Sequence, residues 1–228
     1  MSGEARRLLA SWHDNAAAWT HAVRSGAIAS RKVTDAAILA AALERRPRKT
    51  LDLGCGEGWL MRALAEQGCA AVGIDGSAPL VAAATGSGEV LRLSYAELVA
   101  EPSRAGQGFD LVVANFALLE EEIVPLLAAL RRIMTADGWL LVQTLHPLTA
   151  GPPYRDGWRS EDFCSFGEAL WTPMPWYFRT LGSWLEVLRD GGFVLQSLRE
   201  PAHPEDQRPP SLLLEARVAG FSFAQPNP

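Results

Sequence analysis

The 228-residue chain predicts an α/β fold, in which a seven-stranded, mostly parallel sheet carries helices on both faces. A helical segment precedes the sheet, and an aromatic-rich insertion follows the fifth strand. Three observations predict this. Short apolar runs alternate with helical stretches between residues 50 and 145. The runs are apolar at successive positions, as strands buried on both faces must be. Three glycines, Gly54, Gly56 and Gly58, stand directly behind the first run, where a strand turns sharply into a helix.

Each element has its own signal. Residues 5–18 are alanine-rich and predict a helix; residues 34–46 predict a second, apolar at Ala37, Ile38, Ala41 and Ala42, with Asp35 charging its start and Pro47 ending it. Residues 50–53 form the first strand, and residues 59–67 a helix closed by Gly68. Residues 71–74 form the second strand, ending at Asp75. A short helix (79–85), a Gly86-Ser87-Gly88 turn and a third strand (90–93) follow. The fourth strand spans 109–114, a helix 120–134, a turn Asp137-Gly138, and the fifth strand 139–145. After His146-Pro147 the rhythm breaks into a segment rich in Gly, Pro and aromatic residues. A helix resumes at 180–189, and strands at 193–198 and 212–218 flank a proline-rich loop, 201–210.

Composition narrows the function. The net charge is −5, with acids and bases interspersed, so no basic stripe predicts a nucleic-acid partner. Three cysteines without paired spacing predict neither a disulfide framework nor a metal site. The N-terminus lacks the pattern of a secretory signal, and no apolar run reaches membrane-spanning length, so a cytoplasmic protein without a membrane partner is expected.

The glycine spacing separates candidate ligands. A dinucleotide turn reads G-x-G-x-x-G, whereas this one reads Gly54-x-Gly56-x-Gly58 behind Asp52. No lysine follows in the place a phosphate-binding P-loop requires. Asp75 ends the second strand about twenty residues on, where a carboxylate can accept both hydroxyls of a ribose.

Asp52-Leu53-Gly54-Cys55-Gly56-Glu57-Gly58 resembles the acidic-x-Gly-x-Gly-x-Gly motif of class I S-adenosylmethionine (SAM)-dependent methyltransferases, which have a Rossmann-like sheet. Gly73-Ile74-Asp75-Gly76-Ser77 resembles that family's ribose element. Phe109-Asp110-Leu111-Val112-Val113-Ala114-Asn115 resembles its fourth strand, and Asp137-Gly138-Trp139-Leu140-Leu141-Val142 its fifth. The resemblance implies SAM as cofactor and S-adenosylhomocysteine as product. It places Gly54 and Gly56 against the methionine part, Asp52 and Cys55 in the same cofactor site, Asp75 on the ribose, and Gly76 and Ser77 beside the adenine or ribose. Tyr95 and Ala96 would line the adenine, where the family usually has an aspartate. Asn115 and Phe116 would offer backbone carbonyls to the ammonium, and Arg31 would pair with the carboxylate. The implied arrangement is one domain: a helical lid (1–46), a SAM-binding core (47–146), a substrate cap (147–180) and a C-terminal helix with hairpin strands (181–228).

Methyl transfer from a sulfonium needs alignment more than acid–base chemistry, and no metal. A base helps a hydroxyl acceptor, and His146, at the end of the fifth strand, is the candidate. The segment 147–184 holds Tyr154, Trp158, Phe163, Phe166, Trp171, Trp176, Tyr177, Phe178 and Trp184. Trp158, Trp176 and Tyr177 are therefore expected to wall a pocket for a small apolar or aromatic acceptor. Trp12 and Trp19, seven apart on one helix face, are expected to close over it. Gly151-Pro152-Pro153-Tyr154 is similar to a signature of amino-methyltransferases but stands after the fifth strand rather than the fourth. A non-catalytic SAM-binding protein and a nicotinamide-dependent oxidoreductase are the competing readings.

Overall fold

In the computed structural model, which describes residues 2–166, 169–205 and 207–220, a seven-stranded sheet runs in the order β3-β2-β1-β4-β5-β9-β8. The strands are β1 (Thr50–Leu53), β2 (Ala71–Asp75), β3 (Glu89–Arg92), β4 (Phe109–Asn115), β5 (Met134–Leu145), β8 (Phe193–Arg199) and β9 (Ser211–Val218). The first five pair in parallel, and β9 runs antiparallel to both β5 and β8. The order reverses between β1 and β4, so the C-terminal ends of those strands open a crevice.

Period-two alternation divides the core between the two faces. Leu51, Leu53, Ile74, Val112, Ala114, Leu140 and Val142 meet α7 (Val124–Ile133) and α9 (Leu181–Asp190) on one side. Leu111, Val113 and Leu141 meet α3 (Arg31–Glu44) and α4 (Trp59–Glu66) on the other. These strands are buried on both faces because right-handed crossovers place helices on each. Two shorter helices complete the crossovers, α5 (Ala78–Ala83) and α6 (Tyr95–Ala100).

Three elements depart from expectation. The long first helix is two: α1 (Gly3–Asp14) and α2 (Ala16–Ser25) meet at Asn15. Asn15 is buried, and its side chain bonds both backbone groups of Thr172, donating to its carbonyl and accepting from its N–H at 2.8 Å each. That pairing outweighs alanine-rich helix propensity. The helix expected from residue 120 begins at Val124, with Pro125 in its first turn, where a proline is tolerated. The turn expected at Asp137-Gly138 is an irregularity inside β5, where pairing with β4 slips between Phe109 and Leu111.

After β5, α8 (Pro147–Ala150) leads into a separate antiparallel hairpin of β6 (Gly157–Glu161) and β7 (Met174–Phe178). Phe163, Met174, Trp176 and Phe178 form a small core with Leu8 of α1 and Leu119. The hairpin is thereby fixed against the N-terminal helices. Among the described residues no helix is long and apolar enough to cross a membrane.

Candidate functional site

The loops at the C-terminal ends of β1 to β4 enclose a cavity of about 430 Å³, within the range of small-molecule pockets. Its floor is the turn between β1 and α4. Gly54 and Cys55 donate to the Ile74 carbonyl at 2.9 and 3.0 Å, hooking the turn onto β2. Gly54, Gly56 and Gly58 have φ of +70°, +56° and +82°, a region costly to side-chain-bearing residues. A Cβ on Gly54 would stand 2.8 Å from both the Ala117 Cβ and the Tyr95 hydroxyl. Gly56 has no such obstruction: its nearest neighbour would be Trp19 Nε1 at 3.7 Å. Gly54 therefore lets the loops pack together, and Gly56 leaves room in the cavity.

Asp75 ends β2 beside the turn. Its Oδ2 accepts from the Gly56 N–H at 3.0 Å and its Oδ1 from the Ser77 N–H at 2.8 Å. Burial raises its pKa, opposed by those two N–H groups. Asp52 lies buried beneath the turn, outside the cavity lining. Burial, then the charge of Asp75, pushes its carboxyl up to about 7, and its Oδ2 has no hydrogen-bond partner among the described residues. Cys55 lines the cavity, and burial raises its thiol pKa.

On the far side, Tyr95 donates to the Ala117 carbonyl at 3.1 Å and lines the cavity with Ala96 and Gly76. Asn115 and Phe116 end β4. Phe116 has φ of +52° and donates its N–H to the Gln143 carbonyl at 2.8 Å. A bulky residue held in that conformation is a strain that functional sites retain. Arg31, at the start of α3, faces the cavity while pairing with Asp35 at 2.8 Å and lying 4.7 Å over the Trp59 ring. Burial lowers the Arg31 pKa and raises that of Asp35 to about 6, each opposed by the other's charge.

Trp12 and Trp19 form the roof with Leu8 and Leu9. The two indoles stand edge to face at 5.1 Å although they belong to different helices. Ser77 is buried just outside the lining, its hydroxyl 3.4 Å from the Trp12 carbonyl.

Besides Asp52 and Ser77, which stand just behind the lining, four expected site residues lie elsewhere. His146 does not line the cavity. Its Nδ1 accepts from the Leu148 N–H at 3.1 Å, capping α8, so the ring proton lies on Nε2, 2.7 Å from Glu200 Oε1. Both nitrogens are occupied by structure, which corrects the assignment of a free base. Trp158 donates to Glu121 at 3.2 Å and packs on Tyr177, and Trp176 packs on Phe178. These rings are absent from the lining. The apolar segment satisfied itself by stacking within its own hairpin and against α1, instead of facing a ligand.

The cavity also takes in Glu57, Trp59, Leu80, Val99 and Glu120 to Glu122. The three glutamates had a signal, an acidic run directly after the fourth strand. Leu8 and Leu9 also had one: with Trp12 they share a helix face at spacings of four and three.

Residues 24–208 match the family described as "Methyltransferase domain". The chain belongs to the class I SAM-dependent methyltransferase family. Among curated relatives, a malonyl-[acyl-carrier protein] O-methyltransferase of Enterobacter lignolyticus is 30% identical over 170 residues, which is 72% of this chain. The match spans 63% of that relative's length. Solved structures share the fold of this chain. A 1,6-didemethyltoxoflavin-N1-methyltransferase of Burkholderia thailandensis superposes with a TM-score of 0.67 at 19% identity, covering 96% of this chain and 92% of its own. A SAM-dependent methyltransferase of Mesorhizobium loti gives 0.55 at 23% identity, covering 75% and 90%.

Proposed function

We propose that this methyltransferase transfers the methyl group of SAM to a small, largely apolar or aromatic acceptor. One observation carries the reading. A single cavity has the glycine turn and Asp75 on its floor and the Trp12–Trp19 pair as its roof. One side suits a polar nucleoside and the other an apolar body.

The residues fit the cofactor. The absent side chain of Gly56 leaves open space over the turn. Each Asp75 oxygen already accepts one N–H and keeps a further lone pair, so the carboxylate can accept the two ribose hydroxyls without releasing the turn. Arg31 presents a guanidinium to the cofactor carboxylate, held flat by Trp59. The carbonyls of Asn115 and Phe116 suit the ammonium, and Tyr95 with Ala96 borders the adenine. When bound, SAM supplies an activated methyl group on a positively charged sulfur.

The protein's own work is alignment and exclusion of water. Trp12, Trp19, Leu8 and Leu9 offer an apolar wall against which an acceptor can be held in line with the methyl group. The named relatives act, by their names, on an acyl-carrier-bound malonyl oxygen and on a ring nitrogen. Both support methyl transfer, and their acceptors differ from each other. Methyl-labelled SAM incubated with the protein and a fractionated small-molecule extract tests the reading. Label in a low-mass product is expected. Label confined to protein or nucleic acid would sink it.

A further inference from the structure

The charges that face the cavity are unevenly committed. Arg31 is paired with Asp35, and Glu57 is buried between Arg62 at 2.7 Å and Arg24 at 3.0 Å. Asp75 holds two backbone N–H groups. Glu120 is different. It is half-buried in the lining, and among the described residues no hydrogen bond or ion pair engages its carboxylate. Burial raises its pKa, opposed by the charge of the chain's N-terminus.

The backbone presenting Glu120 is rigidly held. The buried Arg179 guanidinium donates to the Glu120 carbonyl at 2.6 Å and also to that of Glu121. Arg179 is itself backed by the rings of Tyr177 and Trp184, at 4.8 and 5.4 Å. The Tyr177 N–H donates to the Leu119 carbonyl at 2.8 Å, one residue before Glu120. The hairpin aromatics thus act on the cavity through the segment that carries Glu120.

We infer that Glu120 sets the acceptor class: it selects an apolar molecule bearing a basic or hydrogen-bond-donating nitrogen and rejects a carboxylate acceptor. This rests on the methyl-transfer reading above. A carboxylate entering beside Glu120 meets like charge, while Arg31, the cation among the described residues of the lining, already has a partner. An ammonium or ring N–H meets a carboxylate whose burial strengthens the pairing. Trp12 and Trp19 supply the face for its ring.

The test is calorimetry on the full chain saturated with S-adenosylhomocysteine, using matched probes: tryptamine against indole-3-propionate, and benzylamine against benzoate. The amine of at least one pair is expected to bind roughly tenfold more tightly than its acid, the worth of one charge-assisted hydrogen bond. Glu120→Gln should bring that ratio to near unity with S-adenosylhomocysteine affinity and Tm unchanged. Glu120→Asp should keep the preference, and Glu121→Gln and Glu122→Gln should leave it intact. Acids bound as tightly as amines, no amine bound by the loaded protein, or a ratio unmoved in Glu120→Gln would overturn the inference. Failure of S-adenosylhomocysteine itself to bind would instead strike the methyl-transfer reading.

Discussion

Asp75 Oδ2 stands 3.0 Å from the Gly56 N–H, so the carboxylate at the end of β2 fastens the turn that ends β1. One side chain therefore shapes the floor of the cavity and remains available to a ribose. Asp75→Ala is expected to lose at least tenfold in S-adenosylhomocysteine affinity, the loss expected when a charge-assisted hydrogen bond is removed. Asp75→Asn should lose less, because its amide oxygen can still accept from one N–H. Equal affinity for wild type and Asp75→Ala in a calorimetric titration would remove Asp75 from the site.

The two glycines predict different losses. In Gly54→Ala the added methyl would meet Ala117 and Tyr95 at 2.8 Å with φ at +70°, so the fold should lose roughly 2–4 kcal/mol. In Gly56→Ala the methyl faces open cavity, and only the positive φ costs, about 1 kcal/mol. Thermal unfolding and ligand titration together separate them. Gly54→Ala should lower Tm more, while Gly56→Ala should lose cofactor affinity with the smaller loss of stability.

His146→Ala separates a cap from a catalyst. The ring caps α8 and contacts Glu200, so its loss should cost about 1 kcal/mol of stability. The methyl-transfer rate, measured below the unfolding temperature, should change less than tenfold. A fall of a hundredfold or more, the range of a lost general base, would restore the catalytic role.

Asp52 gives a pH signature. Its carboxyl titrates near 7 in the fold and near 3.8 when exposed. A raised carboxyl favours the folded state while protonated. Its contribution is complete below about pH 4 and is lost as pH rises through about 7. Asp35, raised to about 6, acts in the same direction. Asp52→Asn mimics the protonated form, so its stability relative to wild type should improve by roughly 1–3 kcal/mol between pH 5 and 8. Thermal unfolding at both pH values checks this, and a difference independent of pH contradicts it.

The sheet and the turn were legible in the sequence because local signals and tertiary demands agree there. Apolar runs at 50–53 and 109–114 can be satisfied only between two helical layers, and Gly54 and Gly56 mark backbone that side chains would block. Trp12 and Trp19 do line the cavity, but from two helices that meet at Asn15 rather than from the one helix face that their spacing of seven predicts. The misses came from competition invisible in one dimension. Asn15 breaks a good helix because Thr172, distant in sequence, offers it two backbone partners. Trp158 and Trp176 read as pocket walls, yet aromatic rings bury surface as well against one another as against a ligand. His146 occupies the expected strand end, but the proline after it opens a helix that needs a cap.

Parallel calorimetric titrations of the purified protein with SAM, S-adenosylhomocysteine and NAD test most directly whether the cavity is a SAM pocket. Saturable micromolar binding of both adenosyl compounds, with NAD silent and Gly56→Ala much weakened, is the predicted result. Binding of NAD, or affinity for S-adenosylhomocysteine indifferent to Gly56→Ala, would contradict it.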